Sequence, residues 1–171
     1  LLVGAIAAGL PAADVTVVDT DASRQSLVEA LGARFLHASE ETQAGSGLDA
    51  DIVFHTSCSA AGLATAIGCA GMEATVVELS WYGDTVIAAP LGGAFHSRRL
   101  RLISSQVGQV APSRRPRWSY RRRMEAALAL LADPVLDRLV DAEIPFEDAP
   151  RHLPQILAPG TVGLAPVIRY P

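Results

Sequence analysis

The first residue that could do chemistry is Asp19, which ends the β-branched run VTVVD at residues 15–19. This short apolar run predicts a buried strand, and Asp21 predicts the N-cap of a helix over about residues 22–31. In a dinucleotide-binding sheet, an acid at this strand end hydrogen-bonds the adenosine ribose and repels the extra phosphate of NADP. The alternative is an ordinary turn aspartate. Arg24 could contact the adenosine, or it could be a solvated helix arginine.

The cysteines and histidines lack the spacing of metal ligands. Cys58 and Cys69 do not form a CxxC pair. On a helix over residues 59–70 they would lie about 16 Å apart, which is too far for a disulfide. We therefore expect two free thiols and assign no metal-ligating or catalytic residue. The histidines are expected to be structural or solvated: His37, His55, His96 and His152.

Arginine is concentrated in one segment of the chain. The net charge of −4 combines −9 in residues 1–97, +9 in residues 98–123 and −4 in residues 124–171. The block SRRPRWSYRRR at 113–123 could bind nucleic acid through phosphate pairing and stacking on Trp118 and Tyr120. It could also contact an anionic substrate or an absent domain. We favour a solvated or interdomain face, and expect no nucleic-acid partner.

Strands and helices alternate along the sequence, which predicts an α/β protein with a parallel sheet and helices on both faces. Residues 39–50 are expected to form a loop or a short helix. Ligands of such sheets bind at the carboxyl ends of the strands. Strands are predicted at 15–19, 34–37, 51–56, 74–80, 99–105 and in the tail, and helices at 1–10, 22–31, 59–70, 119–132 and 149–157.

The glycine-rich phosphate loop is missing from this pattern. The fingerprint G-x-G-x-x-G should follow a first strand and open the first helix, yet Leu1 already lies within the first predicted helix. We therefore expect an N-terminally truncated piece of a longer protein. The predicted fold class is an incomplete, Rossmann-type doubly wound parallel sheet that lacks its first strand and its Gly-rich loop.

Five stretches together carry a family resemblance: VTVVDTDASRQSLVEALGA, DADIVFHTS, ATVVELSWYGD, PLGGAFHSRRLRLISSQVG and LVDAEIPFEDAPRHLPQIL. They resemble the cofactor-binding, C-terminal half of a medium-chain, zinc-type alcohol dehydrogenase, over nearly the whole chain. The resemblance implies a partial NAD-binding Rossmann-type domain at residues 1–135. It also implies a segment at 136–171 that returns toward an absent catalytic domain, which holds the zinc ligands.

The resemblance implies a cofactor site made of strand-end residues. Asp19 and Arg24 would form its adenosine end. The other implied residues lie at the nicotinamide end: Thr56 and Ser57 beside the ribose, Leu79, Ser80 and Trp81 at the carboxamide, and Ser105 and Gln106 near the ring. Strand-end turn chemistry is the alternative for each polar residue. In the loop TSCS, a glycine would be more usual than Cys58.

The implied activity is hydride transfer between NAD and an alcohol or carbonyl substrate, with zinc acting as a Lewis acid in the parent protein. We expect the 171-residue chain alone to be inactive. One alternative is a zinc-free, NADPH-dependent quinone or enoyl reductase, against which Asp19 argues. Others are a Rossmann-type methyltransferase, which also has an acid after its second strand, and a non-catalytic nucleotide- or nucleic-acid-binding module.

Partners and location follow from simpler features. No apolar run reaches the ~18 residues of a membrane helix, and the opening apolar segment stops at Pro11 without a basic region before it. Two cysteines without a secretory signal favour the cytoplasm. The segment RLRLISS alternates at first, as an edge strand does. We expect a homodimer, or a higher homo-oligomer, formed by edge-to-edge pairing through residues 85–105.

Overall fold

The computed structural model describes residues 1–39, 47–158 and 163–171. Most of the segment predicted as a loop or short helix at 39–50 lies outside the described residues. The helices are α1 (Leu2–Ala8), α2 (Gln25–Ala30), α3 (Ala60–Cys69), α4 (Ala94–Ser97), α5 (Tyr120–Leu130) and α6 (Ala149–Ile156). The strands are β1 (Thr16–Asp19), β2 (Arg34–His37), β3 (Ala50–His55), β4 (Ala70–Glu78), β5 (Arg101–Ser104), β6 (Glu143–Pro145) and β7 (Val167–Arg169).

The described strands form three small sheets, ordered β1-β2, β3-β4-β5 and β6-β7. Both neighbours in the three-stranded sheet pair in parallel, as do β6 and β7. In the Rossmann order 3-2-1-4-5-6, β1 and β2 correspond to strands 2 and 3, and β3-β4-β5 correspond to strands 4-5-6. Strand 1 of the Rossmann order, which lies between strands 2 and 4, has no counterpart among the described residues. The predicted class, an incomplete Rossmann-type α/β fold, is confirmed.

Helix α3 begins where the sequence predicts. Ser59 is its N-cap, and the Ser59 hydroxyl accepts a hydrogen bond from the Gly62 N–H at 3.0 Å, which satisfies one of the free donors of the first turn. The helix ends at Cys69 and β4 begins at the next residue. The Arg98 guanidinium donates to the Ala70 carbonyl at 2.7 Å and to the Gly68 carbonyl at 3.2 Å. This arginine therefore stabilises the junction between helix and strand.

The register of the three-stranded sheet places its carboxyl ends side by side. His55 of β3 lies opposite Glu78 of β4, which in turn lies opposite Ser104 of β5. At the other end, the register shifts between Ala50 and Ile52. The loops that follow the three strands therefore start from one edge of the sheet.

The chain divides into two compact units. The first comprises Leu1–Val17, Ser23–Phe35 and Arg121–Pro171, and the second comprises Val18–Ala22 and Leu36–Tyr120. The first has a buried cluster of Ala5, Leu31, Leu136 and Leu139. The second has a larger cluster of Leu63, Ala66, Ile67, Ala70, Ala74, Val76 and Leu100. The expected domain boundary between residues 135 and 136 stays a prediction.

Some helices and strands begin at other residues than the sequence predicts. Helix α2 begins at Gln25, after a 3-10 turn at Ala22–Arg24, three residues later than predicted. Strand β4 begins at Ala70, four residues before the predicted start. Helix α4 has only four residues and β6 only three, and the sequence pattern predicts neither element. Within the described ranges, no helix combines the length and apolar composition that crossing a lipid bilayer requires.

Candidate functional site

Seven of the nine predicted site residues meet at the carboxyl edge of the β3-β4-β5 sheet. The Leu79 N–H donates to the His55 carbonyl at 3.0 Å, and the Ser105 N–H donates to the Glu78 carbonyl at 2.8 Å. These bonds continue the sheet pairing one residue beyond β4 and one residue beyond β5. The residues that follow the strands here are Thr56 and Ser57 after β3, Leu79, Ser80 and Trp81 after β4, and Ser105 and Gln106 after β5.

The two predicted adenosine-side residues follow β1. Asp19 ends that strand and is half-buried. Its carboxylate accepts the Asp21 N–H at 3.0 Å, which is the turn chemistry weighed as an alternative. Arg24 is the last residue of the 3-10 turn and is half-buried. The ribose-binding role of Asp19 stays a prediction.

The most densely hydrogen-bonded group at the carboxyl edge surrounds His55, which is only 4% exposed. His55 Nδ1 lies 2.7 Å from Glu78 Oε2, and His55 Nε2 lies 2.7 Å from Ser57 Oγ. The Tyr82 hydroxyl donates to Glu78 Oε2 at 3.1 Å. The sequence predicts a structural or solvated His55 and indicates no role for Glu78 or Tyr82. The structure joins all three to the predicted residue Ser57.

Hydrogen bonding sets the charge of Glu78. Burial by itself would raise the pKa of this carboxyl, but hydrogen bonds from His55 and from the Ser80 N–H, the latter at 2.8 Å, outweigh that effect. The net result holds the pKa of Glu78 below its ordinary value of 4.5. Burial and the hydrogen bond to Glu78 raise the pKa of Tyr82 above 10.0. At neutral pH, therefore, Glu78 is an anion and Tyr82 is a neutral donor.

These charges fix the direction of the hydrogen bonds along the chain of side chains. A carboxylate can only accept, so His55 Nδ1 donates its proton to Glu78. With the ring proton on Nδ1, the Nε2 atom of a neutral imidazole presents a lone pair. The Ser57 hydroxyl then donates to Nε2. Ser57 Oγ and Ser59 Oγ lie 3.0 Å apart, so the Ser59 hydroxyl donates to Ser57. The polar chain runs from Ser59 through Ser57 and His55 to Glu78.

Cys58 has a backbone conformation that glycine favours. Its φ is +51°, in the left-handed region that costs a residue with a side chain about 1–2 kcal/mol. This conformation explains why a glycine would be more usual at this position. The Cys58 N–H donates to Ser80 Oγ at 3.1 Å, and its thiol lies 3.7 Å from the Trp81 carbonyl. Cys58 therefore links the loop after β3 to the loop after β4.

Gly62 makes room for the polar chain. A Cβ atom at this position would overlap Ser57 Oγ and would lie 2.9 Å from His55 Nε2. Because Gly62 is in the first turn of α3, Ser57 Oγ lies directly against that turn. Any larger residue would displace Ser57 from His55.

Part of the arginine-rich segment has structural partners. Arg99 pairs with Glu73 at 2.9 Å, and Arg121 pairs with Glu125 at 2.7 Å. Arg115 donates to the Val110 carbonyl at 3.0 Å. Arg115 also borders an open surface cavity of about 360 Å³. The other residues that line this cavity are Gln109, Val110, Trp118, Ser119 and Tyr120.

The cysteines and acidic residues form no metal centre in the part of the chain that the structure describes. No group of three or more His, Cys, Asp or Glu side chains is arranged to hold a metal ion there. Cys58 is exposed and Cys69 is buried, and neither forms a disulfide bond.

The arrangement of elements matches solved dehydrogenase structures. L-idonate 5-dehydrogenase from Escherichia coli has a TM-score of 0.72 and 17% identity, over 99% of this chain and 46% of its own. An E. coli alcohol dehydrogenase solved with NADH has a TM-score of 0.72 and 13% identity, over 98% of this chain and 48% of its own. The chain therefore has the fold of about half of each of these dehydrogenases. It spans about half the length of these dehydrogenases.

A further neighbour carries the other nicotinamide cofactor. The yhdH oxidoreductase from Salmonella enterica, solved with NADP, has a TM-score of 0.68 and 20% identity, over 98% of this chain and 49% of its own. No protein-family model matches the sequence, and no curated protein matches it. The resemblance expected from the sequence is therefore confirmed through the fold.

Proposed function

We propose that this chain is the nicotinamide-binding half of an enzyme that transfers a hydride between NAD and an alcohol or related carbonyl compound. The observation that carries the proposal is the meeting of three parallel strand ends at one edge, in the fold of a dehydrogenase. Ligands of open parallel sheets bind at this edge. The same fold carries NADH in one of the solved neighbours.

The groups at this edge fit the nicotinamide end of a dinucleotide. Thr56 and Ser57 are exposed and offer hydroxyl groups, and the Trp81 side chain is 86% exposed. The bond between Cys58 and Ser80 holds the loops after β3 and β4 together without any ligand, which lowers the ordering cost of binding. NAD would supply the hydride acceptor, and this chain would bind and orient the ring.

Zinc belongs to the proposal only for the parent protein. The described residues contain no ligand cluster for it, so no step of this chain's chemistry is assigned to a metal. In the parent protein, zinc held by other residues would polarise the substrate oxygen.

A zinc-free, NADPH-dependent quinone or enoyl reductase is the second candidate. The observation in its favour is the neighbour solved with NADP. Asp19 at the end of β1 favours NAD, because a carboxylate at this strand end repels the 2′-phosphate of NADP. The Rossmann-type methyltransferase receives no comparable support, since the neighbours described above are dehydrogenases or an oxidoreductase.

We propose a small-molecule alcohol or carbonyl substrate, a cytoplasmic location, and a homodimer or higher homo-oligomer that pairs through β5. We propose no nucleic-acid partner and no membrane partner. The pairing of Arg99 and Arg121 with acids of the same chain supports a structural role for part of the arginine-rich segment.

Saturation-transfer difference NMR on the 171-residue chain with NADH tests the cofactor site. We expect saturation to reach the nicotinamide protons, and Trp81→Ala to reduce it at least threefold. Trp118→Ala is the matched control and should leave the signal unchanged, because Trp118 lies in the arginine-rich segment. Absence of nicotinamide signals from the folded chain, or equal loss in both variants, would contradict the proposal.

A further inference from the structure

We infer that Ser57, His55 and Glu78 form a second reactive centre, which hydrolyses small activated esters without any nicotinamide cofactor. The two central distances, Ser57 Oγ to His55 Nε2 and His55 Nδ1 to Glu78 Oε2, are both 2.7 Å. An activated nucleophile is recognised by such an arrangement, in which the base contacts the nucleophile and a third group orients the base. The chemistry is acyl transfer, which differs from hydride transfer.

The hydrogen-bond directions are those that acyl transfer needs. His55 carries its proton on the side of Glu78 and presents its lone pair to the Ser57 hydroxyl. His55 is 4% exposed, so water competes little for its ring. Ser57 is exposed, so the nucleophile is accessible while the base is protected.

The first turn of α3 supplies donors next to the nucleophile. Helix geometry leaves the first N–H groups without an acceptor inside the helix. The Gly62 N–H is already bound to Ser59 Oγ at 3.0 Å, which leaves those of Ala60 and Ala61. Because a Cβ on Gly62 would overlap Ser57 Oγ, the nucleophile lies against this turn. Negative charge that develops on an ester oxygen would therefore be stabilised there.

The reaction balances with water as the only co-reactant. Ser57 Oγ attacks the ester carbonyl carbon while His55 Nε2 accepts the hydroxyl proton. The C–O bond to the leaving group breaks, and the alcohol departs with the proton from His55. Water, deprotonated by His55, then attacks the acyl group on Ser57. The carboxylic acid is released and the Ser57 hydroxyl is restored.

The surroundings indicate small aromatic esters as substrates. Trp81 is 86% exposed, and its carbonyl lies 3.7 Å from the thiol of Cys58, the residue next to Ser57. An exposed indole offers an apolar, aromatic contact to a substrate ring. Glu78 is a positioning residue in this centre, because it acts through His55.

Covalent labelling of the 171-residue chain with a fluorophosphonate, followed by peptide mass spectrometry, tests the inference. We expect one adduct, on Ser57, and measurable hydrolysis of p-nitrophenyl acetate. Ser57→Ala should abolish both. Cys58→Ala should retain both, which excludes the neighbouring thiol, and Ser26→Ala should retain them as a matched exposed-serine control.

Glu78→Gln separates positioning from a merely structural role. We expect labelling to slow at least tenfold. Glu78→Asp, which keeps a carboxylate, should recover part of the rate that Glu78→Gln loses. An unlabelled wild-type chain with a native circular dichroism spectrum, an adduct that survives Ser57→Ala, or an unchanged labelling rate in Glu78→Gln would overturn the inference. The cofactor proposal is tested separately.

Discussion

Asp19 is the residue on which cofactor choice depends in the proposed site. A 2′-phosphate about 4 Å from its carboxylate would be repelled by on the order of 1–4 kcal/mol. The carboxylate would also lose ribose hydrogen bonds, each worth about 1.5–3 kcal/mol when one partner is charged. We expect the full-length protein to prefer NAD over NADP by roughly two orders of magnitude in kcat/KM.

Asp19→Ser should reduce that preference at least tenfold, measured as the ratio of kcat/KM for the two cofactors. Asp14→Ser is the matched control, because Asp14 pairs with Arg34 on the surface at 3.0 Å, and should leave the ratio unchanged. A wild-type preference for NADP, or a ratio indifferent to Asp19→Ser, would remove Asp19 from the site.

Glu78 should make the stability of the chain sensitive to acid. Its folded-state pKa lies below 4.5, so its contribution is present at neutral pH and is lost as the pH falls through the folded value. In urea unfolding, we expect Glu78→Gln to be less stable than the wild type at neutral pH. The difference should shrink below a pH of about 4.5. A difference independent of pH would contradict this, and Glu125→Gln is the exposed control.

Substitutions at Cys58 should show how much its left-handed backbone conformation destabilises the chain. At a φ of +51°, glycine removes a strain of about 1–2 kcal/mol but adds entropy to the unfolded chain. Cys58→Gly should therefore change the free energy of unfolding by less than about 1 kcal/mol. Cys58→Val should destabilise the chain by about 1–3 kcal/mol, because β-branched residues avoid this region. Chemical denaturation of both variants checks the order, and equal stabilities would show that the strain is absent.

The sequence predicts which strand ends carry the candidate residues, but it does not predict the contact between His55 and Glu78. The family resemblance implies Thr56, Ser80 and Ser105, and the predicted strands are consistent with it because parallel strands end at one edge of the sheet. The contact between His55 and Glu78 depends on the register of β3 against β4, which apolar runs do not specify. The available signal was that a titratable residue ends both DIVFH and ATVVE.

Among the elements, β5 offers a free edge. The described part of the chain pairs β5 only with β4. The Ser105 N–H points to β4, so the alternation of a strand turns the Leu102 N–H outward. Leu102→Pro would remove a donor from the free edge without breaking the bonds to β4. If the parent protein dimerises through this edge, light scattering should find monomers for Leu102→Pro and dimers for Leu102→Ala. Unchanged dimers in both would place the interface elsewhere.

The elements themselves followed well from local signals. Strand β2 matches its predicted bounds, and Ser59 caps α3 as expected. The early start of β4 was missed because AGME contains small and polar residues that do not mark a strand. Strand β6 has three residues and depends on pairing with the distant β7. Such long-range pairing leaves no periodic pattern in the sequence.

At the scale of the whole molecule, we expect the 171-residue chain to lack dehydrogenase activity. The chain spans about half of the dehydrogenases it resembles, and its described residues hold no cluster of metal ligands. Purified chain, NAD and a panel of alcohols should give no NADH above background, with or without added zinc. Zinc-dependent NADH formation by this chain would contradict the proposal that other residues of the parent protein hold the zinc.

The overlap between Ser57 Oγ and any Cβ at position 62 also constrains how these two positions can evolve. Replacing Gly62 by alanine would place a Cβ atom where Ser57 Oγ lies, so the hydrogen bond between Ser57 and His55 would be lost. Sequences related to this chain should therefore show covariation: serine at position 57 should occur with glycine at 62, and a larger residue at 62 with a loss of serine at 57. If both positions change during evolution, position 57 should change first. Replacing Ser57 alone creates no overlap, whereas replacing Gly62 first does.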